Sequence, residues 1–212
     1  MKDIKAVIFD YGQVLSCPQP LQAIKSMADI CQVPIERFHE RYYRYRREYD
    51  TNLLDAKAYW EAVAGFPLSM PSVAELVDID NQSWAHENRP ITAWAKLLRR
   101  RGFKTAILSN MPKDMLEALP LLCPWLPKVD VAIYSCELGI AKPEVIIYQK
   151  VLESLAVAPH TALFLDDKKI NTDAALLLGM QAIVFDSNSS VAARLKEFDL
   201  PAIDLAAEDL LL

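Results

Sequence analysis

The stretch AVIFDYGQVL, residues 6–15, decides the fold. Apolar residues climb without interruption to a single acid, Asp10, and the pattern breaks at Gly12. A continuous apolar run suits a strand covered on both faces, as in parallel sheets; a strand with one wet face alternates instead. The same grammar recurs downstream. IKAVIFD (4–10), KTAILSN (104–110), VDVAIYS (129–135), TALFLDD (161–167) and QAIVFD (181–186) all read as strands. Helix-like stretches fall between them, at 90–101, 112–119, 143–156, 169–178 and 189–197. Gly102 and Gly179 stand where helix C-terminal caps belong, and Pro143 suits a first helical turn.

Strands alternating with crossover helices predict an α/β fold, a Rossmann-like doubly wound parallel sheet. One region breaks the rhythm. Residues 16–89 hold no convincing strand, whereas ERFHERYYRYRREY (36–49) and DAKAYWEAVAG (55–65) look helical, with Asp55 as an N-cap. Pro18, Pro20, Pro67, Pro71 and Pro90 punctuate this region. It reads as a small all-helical cap domain, 16–89, inserted into a discontinuous core made of 1–15 and 90–212. No internal repeat or low-complexity tract interrupts either part.

Composition narrows the function. The 212 residues are 52% hydrophobic, enough for one sizeable core and a satellite. With 23 basic and 28 acidic residues the net charge is −5, which gives no reason to expect nucleic acid or an anionic membrane as partner. No apolar run approaches the ~20 residues that span a bilayer. The start, MKDIKAVIFD, reaches charge too soon for a secretory signal. Cys17, Cys31, Cys123 and Cys136 form no C-x-x-C pair, and His39, His86 and His160 lie far apart. Reduced thiols in a cytoplasmic protein are the expectation, with no zinc site and no disulfide framework. The oligomeric state is left open.

In open α/β sheets the ligand crevice lies beyond the carboxyl ends of the strands. The polar residues that close the strands are therefore the candidates for chemistry. Strand one ends at Asp10, strand two at Ser109 and Asn110, and strand four at Asp166 and Asp167; SCELGIAKP after strand three carries Lys142. Each alone reads as a turn or cap residue. Together, four polar clusters close four consecutive apolar strands. Asp10 with Asp167 would make an oxygen-only site suited to Mg²⁺. Ser109, Asn110 and Lys142 offer donors and a positive charge for a phosphate. Asp10 would then attack phosphorus.

On these residues the chain resembles the haloacid dehalogenase-like hydrolase superfamily. FDYGQVL resembles its first motif, ILSN its second, Lys142 in AKP its third, and FLDD followed by Asn171 its fourth. The resemblance runs over essentially the whole chain. IYSCELGIAKPEVIIYQKVLE and FLDDKKINTDAALLLGMQAIVF are most similar to the small-molecule phosphatase branch, with a helical cap after the first motif. It implies Asp10 as nucleophile and metal ligand, and the Gly12 carbonyl and Asp167 as further ligands. Ser109 and the Asn110 backbone would bind phosphoryl oxygens, and Lys142 would neutralise nucleophile and phosphate. Asp166 would act behind the ligands or through water, with Asn171 orienting its loop. The activity implied is Mg²⁺-dependent hydrolysis of a small phosphorylated metabolite, a sugar phosphate or similar, through an aspartyl-phosphate. A dehalogenase, or a weakly active protein that binds a phosphate ligand for regulation, are the alternatives; a phosphomutase fits least.

Gly12 departs from the pattern. Phosphatases of this superfamily usually carry a second aspartate there, to protonate the leaving group and then activate water. Such help is typically worth ~10²–10⁴ in rate. Turnover is therefore expected to be slowed, or to favour acyl, anomeric or aryl phosphates, or to borrow a substrate hydroxyl, a water or a cap residue. A structural reading stands beside these: a sharp turn that tolerates no Cβ. In the cap, Tyr42, Arg46 and Tyr49 share one face of an expected helix and could meet the substrate above Asp10. The plainer reading is a solvated basic face paired with Glu36, Glu40 and Glu48, with tyrosines, Tyr59 and Trp60 filling the cap core.

Overall fold

The computed structural model describes residues 3–206; residues 1–2 and 207–212, the extremes of the expected core, lie outside the described residues. Five strands form one sheet: β1 (Ala6–Phe9), β2 (Lys104–Ser109), β3 (Val131–Tyr134), β4 (Ala162–Asp166) and β5 (Gln181–Val184). The order is β3-β2-β1-β4-β5 and every pairing is parallel. All five expected strands are present, each a little shorter than expected; Ser109 and Asp166 still pair in the ladder, with Tyr134 and Val184.

Alternation within the strands assigns two faces. Val7, Phe9, Ile107, Leu163 and Leu165 join one buried cluster, with Trp94, Leu98, Met115 and Leu119 from the helices over it. Ala6, Ile8, Ala106, Leu108, Ala162 and Phe164 join another, with Ile147, Tyr148, Val151 and Leu155. The central strands are sealed on both sides, which is why they read as unbroken apolar runs.

The helices are α1 (Leu21–Ile30), α2 (Ile35–Arg44), α3 (Arg46–Asp50), α4 (Ala56–Ala64), α5 (Met70–Ser83), α6 (Arg89–Arg100), α7 (Lys113–Leu122), α8 (Ser135–Leu138), α9 (Val145–Leu155), α10 (Lys169–Leu177) and α11 (Asn188–Arg194). Gly102 and Gly179 follow the ends of α6 and α10 with φ of +87° and +84°, the left-handed conformation glycine adopts without a Cβ penalty. Asp55 caps α4 through Ala58 N–H. Pro143 is not in the first turn of a helix: α9 begins at Val145, with Glu144 in the position before it, and the Lys142–Pro143 peptide is cis. Helix α7 runs past its expected end at 119, through Pro120 to Leu122.

Between β1 and β2 the chain forms α1–α5, with their own buried cluster of Met27, Phe38, Tyr42, Tyr49, Tyr59, Trp60, Val63 and Leu76. Two segments join them to the sheet side by side: Ser16 bridges Glu87, Cys17 N–H donates to His86 O, and Asn88 N–H to Leu15 O. The expected helix at 36–49 breaks at Tyr45, with φ −109° and ψ 5°, into α2 and α3. No helix among the described residues is long and apolar enough to cross a membrane.

Candidate active site

Strand register builds the site. Phe9 pairs with Leu165, so Asp10 comes level with Asp166, and the Asp10 N–H donates to Leu165 O at 2.9 Å. On the other side Phe9 pairs with Ile107, which places Ser109 one residue beyond that level. β1 lies where the winding of the sheet reverses, between β2 and β4, and the crevice of such sheets opens there.

Asp10 is 7% exposed. Its Oδ1 accepts from Tyr11 N–H at 2.7 Å and pairs with Lys142 Nζ at 2.8 Å. Lys142 Nζ also donates to Asp166 Oδ2 at 2.6 Å. Asp166 is fully engaged: Oδ1 accepts from Lys168 N–H and Asn171 Nδ2, and Oδ2 from Lys142 and Asn171. Asp167 accepts from Gln13 Nε2 through Oδ2 at 2.7 Å. One oxygen each of Asp10 and Asp167 therefore accepts no hydrogen bond from a described residue. Carboxylate oxygens of Asp10, Asp166 and Asp167 lie within 4.8 Å of one another.

Charge is unbalanced here. Burial pushes the Asp10 carboxyl up to about 7, against the pull of Lys142 and with the charges of Asp166 and Asp167 adding to it. Asp167 is raised by burial and by Asp166. Asp166 goes the other way: burial would raise it, but Lys142, Lys168 N–H and Asn171 outweigh burial and hold it low. Lys142 loses solvation yet stays above the usual lysine range, because Asp10 and Asp166 flank it. One ammonium among three carboxylates leaves room for a divalent cation, and the two open oxygens are the hard donors Mg²⁺ takes.

Ser109, Asn110 and Lys142 line the same cleft as Asp10, Gly12, Asp167 and Asn171. The Asn110 side chain clamps the Lys142 backbone, donating to Lys142 O at 2.9 Å and accepting from Lys142 N–H at 2.8 Å. That leaves the Ser109 hydroxyl and backbone donors on the cleft side. Gly12 has φ −64°, which any residue adopts, and a Cβ there would meet Trp84 at 3.5 Å, an ordinary contact. The loop's unusual conformation falls instead on Gln13, at φ 59°. The expectation that the turn itself demands glycine at 12 is corrected accordingly.

The opposite wall comes from α2 and α3. Tyr42 and Arg46 line the cleft; Tyr49 does not. The break at Tyr45 turns Tyr49 onto Tyr59, where the rings stack at 4.3 Å, and its hydroxyl donates to Asp114. Nor does Arg46 form a solvated basic face with nearby glutamates. It is inserted between Asp50 and Asp80 at 2.9 and 2.8 Å and surrounded by the rings of Tyr42, Tyr49 and Tyr59. Gln13, Tyr43, Asp50, Trp84, Met111, Met115 and Lys168 also line the cleft and were not singled out from sequence. Only Asp50 gives a usable signal, an acid directly after ERFHERYYRYRREY (36–49).

A family model described as haloacid dehalogenase-like hydrolase matches residues 4–179. The chain is similar to bifunctional epoxide hydrolase 2 of Rattus norvegicus, 32% identical over 135 residues, which is 61% of this chain but 24% of that protein; it thus spans about a quarter of that relative. It is 28% identical over 190 residues to phosphatase MT3486 of Mycobacterium tuberculosis, covering 86% of this chain and 88% of the other. Among solved structures, the enzyme BT-2542 of Bacteroides thetaiotaomicron, in complex with magnesium and inorganic phosphate, superposes with TM-score 0.67 at 19% identity, covering 85% and 93% of the two chains. L-2-haloacid dehalogenase of Xanthobacter autotrophicus with chloropropionic acid covalently bound gives 0.65 at 21%, covering 93% and 84%.

Proposed function

The chain belongs to the haloacid dehalogenase-like hydrolases, and from that premise we propose that it is a Mg²⁺-dependent phosphatase of small phosphorylated metabolites, working through an aspartyl-phosphate on Asp10. The observation that carries the reading is the pair of open carboxylate oxygens, on Asp10 and Asp167, in a group of acids that Lys142 alone does not neutralise. A dehalogenase attacks carbon and has no use for that acid pair. The name of the mycobacterial relative and the magnesium and phosphate bound to the Bacteroides enzyme support the same choice.

In this mechanism one oxygen of Asp10 attacks phosphorus and the other is left for the cation. The Ser109 hydroxyl and the backbone N–H of Asn110 hold the phosphoryl oxygens. Lys142 offsets the charge of both Asp10 and the phosphoryl group, and Asp166, fixed by Asn171 and Lys168 N–H, positions Lys142. Gln13 orients Asp167. Asp10, Asp167 and the Gly12 carbonyl would hold Mg²⁺, which when bound cancels excess carboxylate charge and polarises phosphoryl oxygens. Segment 16–89 acts as the cap that closes the cleft from water, with Tyr42 and Arg46 on its inner side. Thiols at Cys31, Cys123 and Cys136 suit a cytoplasmic setting.

A panel of phosphorylated metabolites, assayed with Mg²⁺ beside Asp10→Asn, tests this. Phosphate release by the wild type alone, stopped by a chelator, is the expected result. Equal release by both proteins removes Asp10 as nucleophile. Halide release from a 2-haloacid without phosphate release replaces the reading with a dehalogenase.

A further inference from the structure

Gly12 leaves no acid two residues after Asp10, and a phosphatase acting on an ordinary alcohol phosphate needs a proton for its leaving group. The cleft itself holds four carboxyl-bearing positions near that need: Asp10 and Asp167 inside the charged group, Asp166 behind them, and Asp50 on the opposite wall. Asp50 stands apart from the others. It closes α3, and its backbone is tied to the sheet: Ser135 Oγ donates to Asp50 O at 2.5 Å and accepts from Met111 N–H at 2.9 Å. The end of α3 is thus fastened to the segments that follow β2 and β3. Next to it, Tyr49 donates to Asp114 Oδ2 at 2.8 Å. The carboxyl is fastened as well, with Oδ1 accepting from Arg46 Nε at 2.9 Å. Oδ2 has no hydrogen-bond partner among the described residues.

Resting on the phosphatase reading, we propose that Asp50 is the proton donor to the leaving group, taking the place of the second aspartate that Gly12 lacks, and that the substrate is the monophosphate of an unactivated, hydroxyl-bearing alcohol. In the first half-reaction an oxygen of Asp10 bonds to phosphorus, the bond from phosphorus to the leaving oxygen breaks, and the Asp50 proton passes to that oxygen, giving the free alcohol. In the second, water attacks phosphorus, Asp50 takes the water's proton, the bond from phosphorus to Asp10 breaks, and inorganic phosphate leaves. Asp50 ends protonated and Asp10 ionised, as at the start.

The surroundings of Asp50 suit a carboxyl that must hold a proton. It is buried, and burial raises it above the usual carboxylate range against Arg46 and Lys168, with Asp80 adding to the rise. Tyr43 and Cys136 also feel its charge. Arg46 does not pin it ionised, because that guanidinium is shared with Asp80 at 2.8 Å. The competing donors are weaker. The Tyr42 hydroxyl is already engaged by Asp80 and Arg46, and the Tyr43 phenol is pushed up by burial.

The test compares an alkyl monophosphate with 4-nitrophenyl phosphate, whose leaving group needs no proton. In Asp50→Asn, which keeps an acceptor for Arg46, kcat/KM for the alkyl ester falls ~10²-fold or more, kcat/KM for the aryl ester stays within a few-fold, kcat for the aryl ester falls because hydrolysis of the shared aspartyl-phosphate has lost its base, and the basic limb of the alkyl kcat/KM pH profile disappears. Adding Gly12→Asp to Asp50→Asn restores alkyl turnover. Asp80→Asn, which loosens Arg46 from outside the cleft, lowers both rates by one common factor. An alkyl-to-aryl ratio of kcat/KM unchanged by Asp50→Asn overturns the proposal. If Asp50→Asn does not fold, the wild type still decides: rates over a series of phosphates depend only weakly on leaving-group pKa if a donor is present, and a steep dependence overturns it. Phosphate release from neither substrate with Mg²⁺ defeats the phosphatase reading and Asp50's role with it, whereas release from both with an unchanged ratio defeats only the latter.

Discussion

Two buried groups of charge face each other across one cleft, and they are built on opposite principles. On the sheet side, Asp10, Asp166 and Asp167 surround one ammonium, Lys142. On the helical side, Asp50 and Asp80 hold one guanidinium, Arg46, with tyrosine rings about it at 5.0, 5.5 and 5.9 Å. The helical group is nearly complete in itself: Arg46 Nη1 also meets the Tyr42 hydroxyl, Tyr42 donates to Asp80, and Gln19 donates to Asp80. The sheet group is left open at two oxygens. The helical group holds a wall in shape and leaves over one carboxylate oxygen, on Asp50; the open group on the sheet invites something from outside.

The largest way to break this contrast is Asp10→Asn. Loss of an attacking group costs at least about 10³-fold in turnover, read as phosphate release, with little loss of helical content. A next step equalises the two groups. Lys142→Met and Arg46→Met each strand buried carboxylates, and urea denaturation in Mg²⁺-free buffer should show each destabilised by about 3–5 kcal/mol. Mg²⁺ then separates them. At 100 times its dissociation constant it should stabilise the wild type by about 2.7 kcal/mol, stabilise Arg46→Met by the same increment, and leave Asp167→Asn unmoved in a thermal melt.

Proton linkage is a smaller lever with a definite sign. Asp10 rises from 3.8 to about 7 on folding, so below its unfolded value its stabilising share is complete, and that share is lost as pH climbs through about 7. Asp167 and Asp50 are raised in the same sense. Asp166, held low, acts oppositely and loses its share only as pH falls below the usual carboxylate range. Metal-free protein should therefore melt at a higher temperature near pH 5.5 than near pH 8, and Asp10→Asn should flatten that trend. The smallest expected change is Gly12→Ala. With φ at −64° and open contact to Trp84, it should add roughly 0.4–1 kcal/mol.

The same contrast explains what could be read from sequence. The sheet side was legible because parallel register brings successive strand ends to one level, so Asp10, Ser109 and Asp166 needed only their strands to be found. The helical side assembles from α2, α3 and α5, and nothing in linear order links Arg46 to Asp80. Helix α5 buries Asp80, Asn81 and Ser83 beside Val73 and Leu76, so its apolar periodicity is diluted. An unbroken helix through Tyr45 would keep Tyr49 on the face of Tyr42 and Arg46; the break there carries it away. Gln13 gave no warning, since its reach to Asp167 depends on a left-handed backbone that few residues of its type adopt. Pro143 reads as a first-turn residue by its intrinsic preference, but α9 begins two residues later, at Val145.

Trp84 touches both sides of this arrangement. Its ring lies against Gly12, and its indole N–H points to the Tyr42 hydroxyl at 3.3 Å. The other tryptophans are occupied elsewhere: Trp60 and Trp94 are sealed in hydrophobic interiors, and Trp125 stacks on Tyr11. The molecule thus carries its own optical gauge, since the emission of one indole at the mouth of the cleft will register the seating of a cation or a phosphate without any label attached.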